Sequence, residues 1–151
     1  MVEAKERKAP AKQAVMFLLH RSGRFLLERR KDPEKSYHGY LIIPGGKVEQ
    51  EKKESVLEAL YREVEEEHGV RAVDAAWLDT FEDVTPSGNH YLIHAYLIID
   101  YEGEVVSAEP DKSDLVWLSS KDAHEALKFA NSRYVLGLAE KYLNEEAQSK
   151  D

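Results

Sequence analysis

Between Ser55 and Gly69 the chain specifies both ends of one helix, and this segment limits the possible folds more than any other. Ser55 and Glu58 form a capping box, in which each side chain satisfies a free backbone N–H of the other. Gly69 supplies the left-handed residue that stops a helix without a Cβ clash. The spacing predicts a helix over residues 56–68. At about 100° per residue, Val56, Leu57, Leu60 and Val64 share an apolar stripe, while Glu58 and Glu65 fall opposite it in solvent. Glu63, Glu66 and Glu67 crowd instead into a sector bordering the stripe, with Glu67 overlapping it. Carboxylates three and four residues apart repel by about a few tenths of a kcal/mol per pair. With only Arg62 beside them on the helix, such crowding points to bound divalent cations, and oxygen donors select hard ions such as Mg²⁺ or Mn²⁺.

Upstream, the apolar run Leu41 Ile42 Ile43 leads into Pro44 Gly45 Gly46. This reads as a strand ending in a turn whose two glycines can take positive φ and bring bare backbone close to a ligand, where carbonyls could complete a metal shell. Gly46, Glu54, Arg62 Glu63 Val64, Glu66 Glu67 and Gly69 Val70 together resemble the Nudix box, the signature of hydrolases acting on nucleoside diphosphates linked to another group. From Glu54 to Val70 the pattern E x7 REUxEExGU, with U apolar, is matched throughout. The departure lies before it, where seven residues separate Gly46 from Glu54 and the family usually has five. A two-residue insertion in a surface loop costs little as loop length; it bears on the loop's geometry and on where a ligand sits.

The resemblance implies a Nudix-type α/β/α sandwich around a mixed β-sheet. It also implies that Glu63, Glu66 and Glu67 hold Mg²⁺ with the carbonyl of Gly46, that Glu63 helps deprotonate a water, and that Arg62 pairs with Glu54 and orients the catalytic side chain. In some members the base comes from a separate loop; Glu109, which is also a candidate metal ligand, and Asp111 are the residues of that kind here, the other reading being a solvated acidic loop. A diphosphate isomerase on the same fold is disfavoured by the lack of any cysteine. A noncatalytic nucleotide-binding module is disfavoured because no box glutamate is missing.

Length and charge agree with one enzyme domain. At 151 residues there is room for a single core. A net charge of -8 argues against general nucleic-acid binding, which needs a basic surface. The absence of cysteine fits a reducing, cytoplasmic setting. Residues 1–12 are charged, without the apolar stretch of a signal peptide, and read as a flexible tail. The domain is expected over residues 13–144 and a second tail over 145–151; nothing approaches the length of a membrane span.

The remaining elements follow from periodicity. Residues 14–19 are continuously apolar and Ser22 Gly23 is a tight turn, so the chain opens with a hairpin whose first strand is buried on both faces. Strands are expected over 75–81, 91–99 and 115–118, with a turn at Pro86 Ser87 Gly88 Asn89. Helices are expected over 121–129 and 132–143, the latter with Tyr134, Val135, Leu138 and Tyr142 on one face. These apolar residues are either core or a dimer face, so a homodimer stays open.

The resemblance implies a small nucleotide as the substrate. Glu109 Pro110 Asp111 Lys112 with Trp117, and His90 Tyr91, are similar to Nudix members acting on nucleoside triphosphates, the slightly favoured class. Pro86, sixteen residues past Val70, is a spacing of ADP-ribose-cleaving members and leaves an ADP-ribose or nucleotide-sugar pyrophosphatase as the alternative. Arg24, Arg29, Arg30 and Lys47 are candidate phosphate ligands. Tyr37, His38 and Tyr40 are candidates for stacking on a base. Trp117 reads as core; His90 and His94 share a strand face, as cleft or surface residues.

Overall fold

A computed structural model describes residues 12–34 and 37–149. The tail expected over residues 1–12 therefore lies outside the described residues except for Lys12, which opens the first strand. The elements run β1 (Lys12–Arg21), β2 (Arg24–Arg30), β3 (Leu41–Ile42), β4 (Gly45–Lys47), a single 3-10 turn (Gln50–Lys52), α1 (Val56–His68), β5 (Arg71–Val84), β6 (His90–Glu102), β7 (Ser113–Ser119), α2 (Ser120–Ala126) and α3 (Ala130–Ser149). Ser22 and Gly23 both have positive φ, 53° and 76°, which lets a two-residue turn follow the twist of its strands.

The strands form one mixed sheet in the order β3-β2-β1-β6-β5, with β4 also on β1 and β7 also on β2. β1 lies parallel to β6 from Lys12↔Tyr91 to Leu19↔Ile98. Its other edge is shared: Ala14, Val15 and Met16 pair with β4, while His20 and Arg21 pair with β2. A central strand of this kind must be apolar on both sides, and alternate residues of β1 enter different cores. Val15, Phe17 and Leu19 join Leu60 and Val64 of α1, whereas Leu18 joins Ala123 of α2 and Val135, Leu136 and Ala139 of α3. The molecule is thus the expected α/β/α sandwich, with α1 on one face and α2 and α3 on the other.

Both ends of α1 follow from its sequence. Glu58 N donates to Ser55 Oγ (3.1 Å), and Ser55 N donates to Glu58 Oε1 (2.9 Å). Gly69 takes φ 69°, its N–H donating to Glu65 O at 2.9 Å. The buried face differs from the expected stripe. Leu60 and Val64 are buried as expected, Leu57 is half exposed, and Ala59, Glu63 and His68 face inward beside them. The Glu63 carboxylate, expected at the border of the stripe, is thus buried with it, and the His68 imidazole lies on the same face.

The C-terminal helices also differ from their expected bounds. α2 ends at Ala126 because Leu127, fully buried, turns extended at ψ 123°. Phe129 therefore sits in the bend before α3, outside both helices. α3 begins two residues earlier than expected and continues to Ser149, through most of the segment expected to be a tail. Val135, Leu136 and Ala139 are its core residues, while Tyr134 is exposed and its hydroxyl donates to Asp79 Oδ2. No helix of the described residues is long and apolar enough to cross a membrane.

Candidate active site

Gly45 and Gly46 lie in β4, paired with Met16 and Val15, and neither has positive φ. The expected turn with left-handed glycines is thus corrected: close approach, not backbone conformation, requires these residues. A Cβ on Gly45 would stand 2.3 Å from the carbonyl oxygen of Val15. A Cβ on Gly46 would stand 1.2 Å from Glu63 Oε2. The Glu63 carboxylate thus occupies the volume of the missing side chain, locking α1 against β4.

Arg62 organises the carboxylates around that contact. Its Nε and Nη2 donate to Glu54 Oε2 and Oε1 at 2.6 and 2.9 Å, a two-pronged pair that holds the Glu54 carboxyl down at about 2. Nη2 also donates to Lys47 O (3.0 Å), and Nη1 to Glu63 Oε1 (3.2 Å) and Glu66 Oε2 (2.9 Å). The two-residue insertion does not displace Glu54. It folds as the 3-10 turn, closed by Lys53 in the left-handed conformation, and its ends meet where Glu49 N donates to Glu54 Oε1 at 2.9 Å and Glu54 N to Glu49 O at 3.2 Å.

Glu63, Glu67 and Glu28 resist ionisation. Burial, with Glu66 and Glu67 nearby, pushes the Glu63 carboxyl up to about 8 despite Arg62. Glu67 is pushed up by burial first and then by Glu28, with Arg30 opposing and Glu109 and Glu66 adding to the rise. Glu28, itself buried on β2 and raised mainly by burial, has Arg30 Nε at 3.4 Å from its Oε2. Among the described residues, no three acidic or histidine side chains converge closely enough to hold a metal as they stand. The donor chemistry fits hard divalent ions all the same. Glu63 and Glu66 are bridged by one edge of a guanidinium, a cation already standing between them, and Glu66 is exposed and free to turn.

Beside Gly46 opens a cleft of about 720 Å³. Gly45, Gly46 and Lys47 border it on one side, with Arg30, Tyr37, Phe129 and the Thr85–Ser87 part of the β5–β6 turn around it. Tyr37, at φ 64°, sets its ring edge-on to Phe129 with centroids 4.7 Å apart, and Tyr40 meets Phe129 at 5.2 Å. A bulky residue in the left-handed region is uncommon and costs on the order of 1 kcal/mol or more.

Of the residues singled out by sequence, Gly46, Glu54, Arg62, Glu63 and Glu66 come together, and Glu109 is near enough to Glu67 to add to the rise of its carboxyl. Lys47 and Tyr37 border the cleft, and Tyr40 reaches it only through Phe129. Four residues are not brought to it. Arg24 begins β2, six residues from Arg30, so about 20 Å away at the rise of a strand. Arg29 points to the other side of β2 from Glu28 and Arg30, and its Nη1 donates to Gly39 O. His90 is exposed and lies 3.3 Å from Glu82. His94 is engaged by Thr80 and Gln13, at 3.0 and 2.7 Å. Sequence reading missed Glu28, Glu49 and Phe129. Only Glu28 carried a signal, as a charge directly following the apolar run of Phe25, Leu26 and Leu27.

Residues 10–137 match the family model of the NUDIX domain. A MutT NUDIX hydrolase from Burkholderia pseudomallei has 30% identity, covers 87% of this chain and 98% of its own, and superposes with a TM-score of 0.74. The ORF135 protein of E. coli has 26% identity over 86% and 89% of the two chains, with a TM-score of 0.70. The NUDIX domain of Shewanella oneidensis NrtR, solved in complex with ADP ribose, shares the fold at 19% identity, 94% coverage of both chains and a TM-score of 0.73. No curated protein matches the chain.

Proposed function

Since the chain belongs to the NUDIX domain family and is a pyrophosphohydrolase, we propose that it performs Mg²⁺-dependent cleavage of the phosphoric anhydride of a small nucleotide, nucleoside triphosphates first. The observation that carries this reading is the Glu63 carboxylate, fixed by Arg62 against Gly46 at the border of the cleft. Glu63, Glu66 and Glu67 hold the cations with the Gly46 carbonyl, and Mn²⁺ is an acceptable substitute. Divalent ions bound there neutralise phosphate oxygens and lower the pKa of a coordinated water. Glu63 Oε2, the oxygen lying on Gly46 and not bonded by Arg62, takes the proton of the attacking water. Lys47 and Arg30 supply positive charge to the phosphate chain, and Tyr37 and Phe129 an apolar wall for the base.

A second reading, ADP-ribose or a nucleotide sugar, is supported by Pro86, which borders the cleft. Incubation with Mg²⁺ and a panel of nucleoside triphosphates, ADP-ribose and nucleotide sugars, with products separated by chromatography, decides between them. Pyrophosphate and a nucleoside monophosphate are expected. Release of two monophosphates from ADP-ribose in preference would transfer the assignment to the second reading, and no turnover of any member would sink both.

A further inference from the structure

Nη1 of Arg62 carries two hydrogens and faces three carboxylates. Glu66 and Glu63 take them at 2.9 and 3.2 Å, while Glu49 Oε1 stands at 3.6 Å, within ion-pair range but beyond a hydrogen bond. Glu49 lies outside the residues that carry the Nudix resemblance, at the start of the inserted turn. Four contacts fix it there. Its N–H donates to Glu54 Oε1, its carbonyl accepts from Glu54 N and Lys52 N, and Lys52 Nζ lies 2.9 Å from its Oε2. Lys52 thus takes one carboxylate oxygen and leaves the other directed at Arg62.

The arrangement has no use while Arg62 Nη1 is satisfied by Glu63 and Glu66. It acquires one when those two carboxylates turn to a divalent cation. Nη1 then loses both partners, and the Arg62 side chain is only about a quarter exposed. An abandoned donor on a charged group carries a desolvation penalty that is set against every cation that binds. We infer that Glu49 is a positioning residue which accepts Arg62 Nη1 when Glu63 and Glu66 engage a divalent cation, so that the inserted turn sets the affinity of the site. This inference rests on the cation reading of the preceding subsection.

Mn²⁺ titrations with the free ion counted by electron paramagnetic resonance test it on wild type, Glu49→Gln, Glu49→Asp, Glu51→Gln and Glu66→Gln. Glu49→Gln is expected to bind Mn²⁺ about tenfold more weakly, the size typical of outer-shell partners. Glu49→Asp keeps the charge but withdraws the carboxylate by one methylene and is expected to weaken binding as well. Glu51→Gln removes the same charge from the same turn and is expected to leave affinity unchanged. Metal-free melting temperatures of both Glu49 variants should match wild type, and activity lost by Glu49→Gln at low Mg²⁺ should return at saturating Mg²⁺. Wild-type affinity in Glu49→Gln overturns the inference. So does wild-type affinity in Glu49→Asp, or an equal loss in Glu51→Gln, since either reduces the role to net charge. A wild type that binds no Mn²⁺, or binds it undiminished in Glu66→Gln, overturns the cation reading itself.

Discussion

At the Gly46 end of the cleft, Arg62 bonds Lys47, Glu54, Glu63 and Glu66, all within one stretch of chain, so each group's position depends on the others. The opposite end gathers Tyr37, Phe129 and the β5–β6 turn from distant parts of the sequence, and its rings touch edge to face. A charged network closed on itself fixes atoms to within fractions of an ångström, as a reaction requires. Rings in edge contact offer surface and tolerate change. The first end should therefore govern turnover and the second affinity, and substitutions at each should separate kcat from KM.

The largest effect is expected from Gly46→Ala. The new Cβ claims the position of Glu63 Oε2, and β4 is held in the ladder of β1, so the carboxylate must leave. Turnover should fall at least about a thousandfold with melting temperature little changed, as for loss of a central charged group. Gly45→Ala is the contrasting variant. Its Cβ meets the backbone of β1, so stability should drop by about 2 kcal/mol. A Gly46→Ala enzyme retaining a tenth of its activity would show that Glu63 is not fixed by this contact.

Next in size, Glu66→Gln or Glu67→Gln should lower kcat about a hundredfold or more while the fold persists, and Glu65→Gln should change it less than about twofold. Glu65 is exposed and Arg62 does not reach it. Equal losses at Glu65 and Glu66 would erase the division between solvent and site on α1. At the other end, Phe129→Ala should raise KM about tenfold with kcat nearly intact, the stacking contribution of one ring. A kcat loss there larger than the KM change would remove the contrast between the two ends.

How far each end was legible in the sequence has the same physical origin. The capping box, Gly69 and the carboxylate spacing on α1 are local rules, and α1 appears with the bounds they predict. That Glu54 meets Arg62 despite the insertion follows from a turn closing on itself, which residues 49–54 do through their own backbone. Phe129 depends on where α2 stops, and that is decided by burial of Leu127 among residues far along the chain. Arg24 and Arg29 were attractive as cations near phosphates, yet position along β2 and strand alternation direct them elsewhere. For the glycine pair the close approach is realised without positive φ, because a steric demand from Glu63 and Val15 leaves the same sequence mark.

The smallest effect tests whether every group on the inner face of α1 serves the reaction. His68 is 1% exposed, packs edge-on to Phe17 at 5.4 Å, and among the described residues neither ring nitrogen has a hydrogen-bond partner. Burial lowers its pKa from 6.5 to about 4. Below pH 6.5 the unfolded chain therefore takes up a proton that the folded chain refuses, and stability falls as pH falls, by about 3 kcal/mol at pH 4. Glu28, Glu63 and Glu67 pull the other way, since their raised carboxyls protonate first in the folded chain. The difference between His68→Leu and wild type isolates the imidazole. Leucine fills a similar volume without unpartnered nitrogens, so it should add about 1–2 kcal/mol at pH 7.5. In urea melts that margin should widen steadily from pH 6.5 to pH 4, with kcat at neutral pH unaltered. Parallel stability curves would mean that the imidazole finds a partner in solution, and a fall in kcat would make His68 part of the network that Arg62 organises.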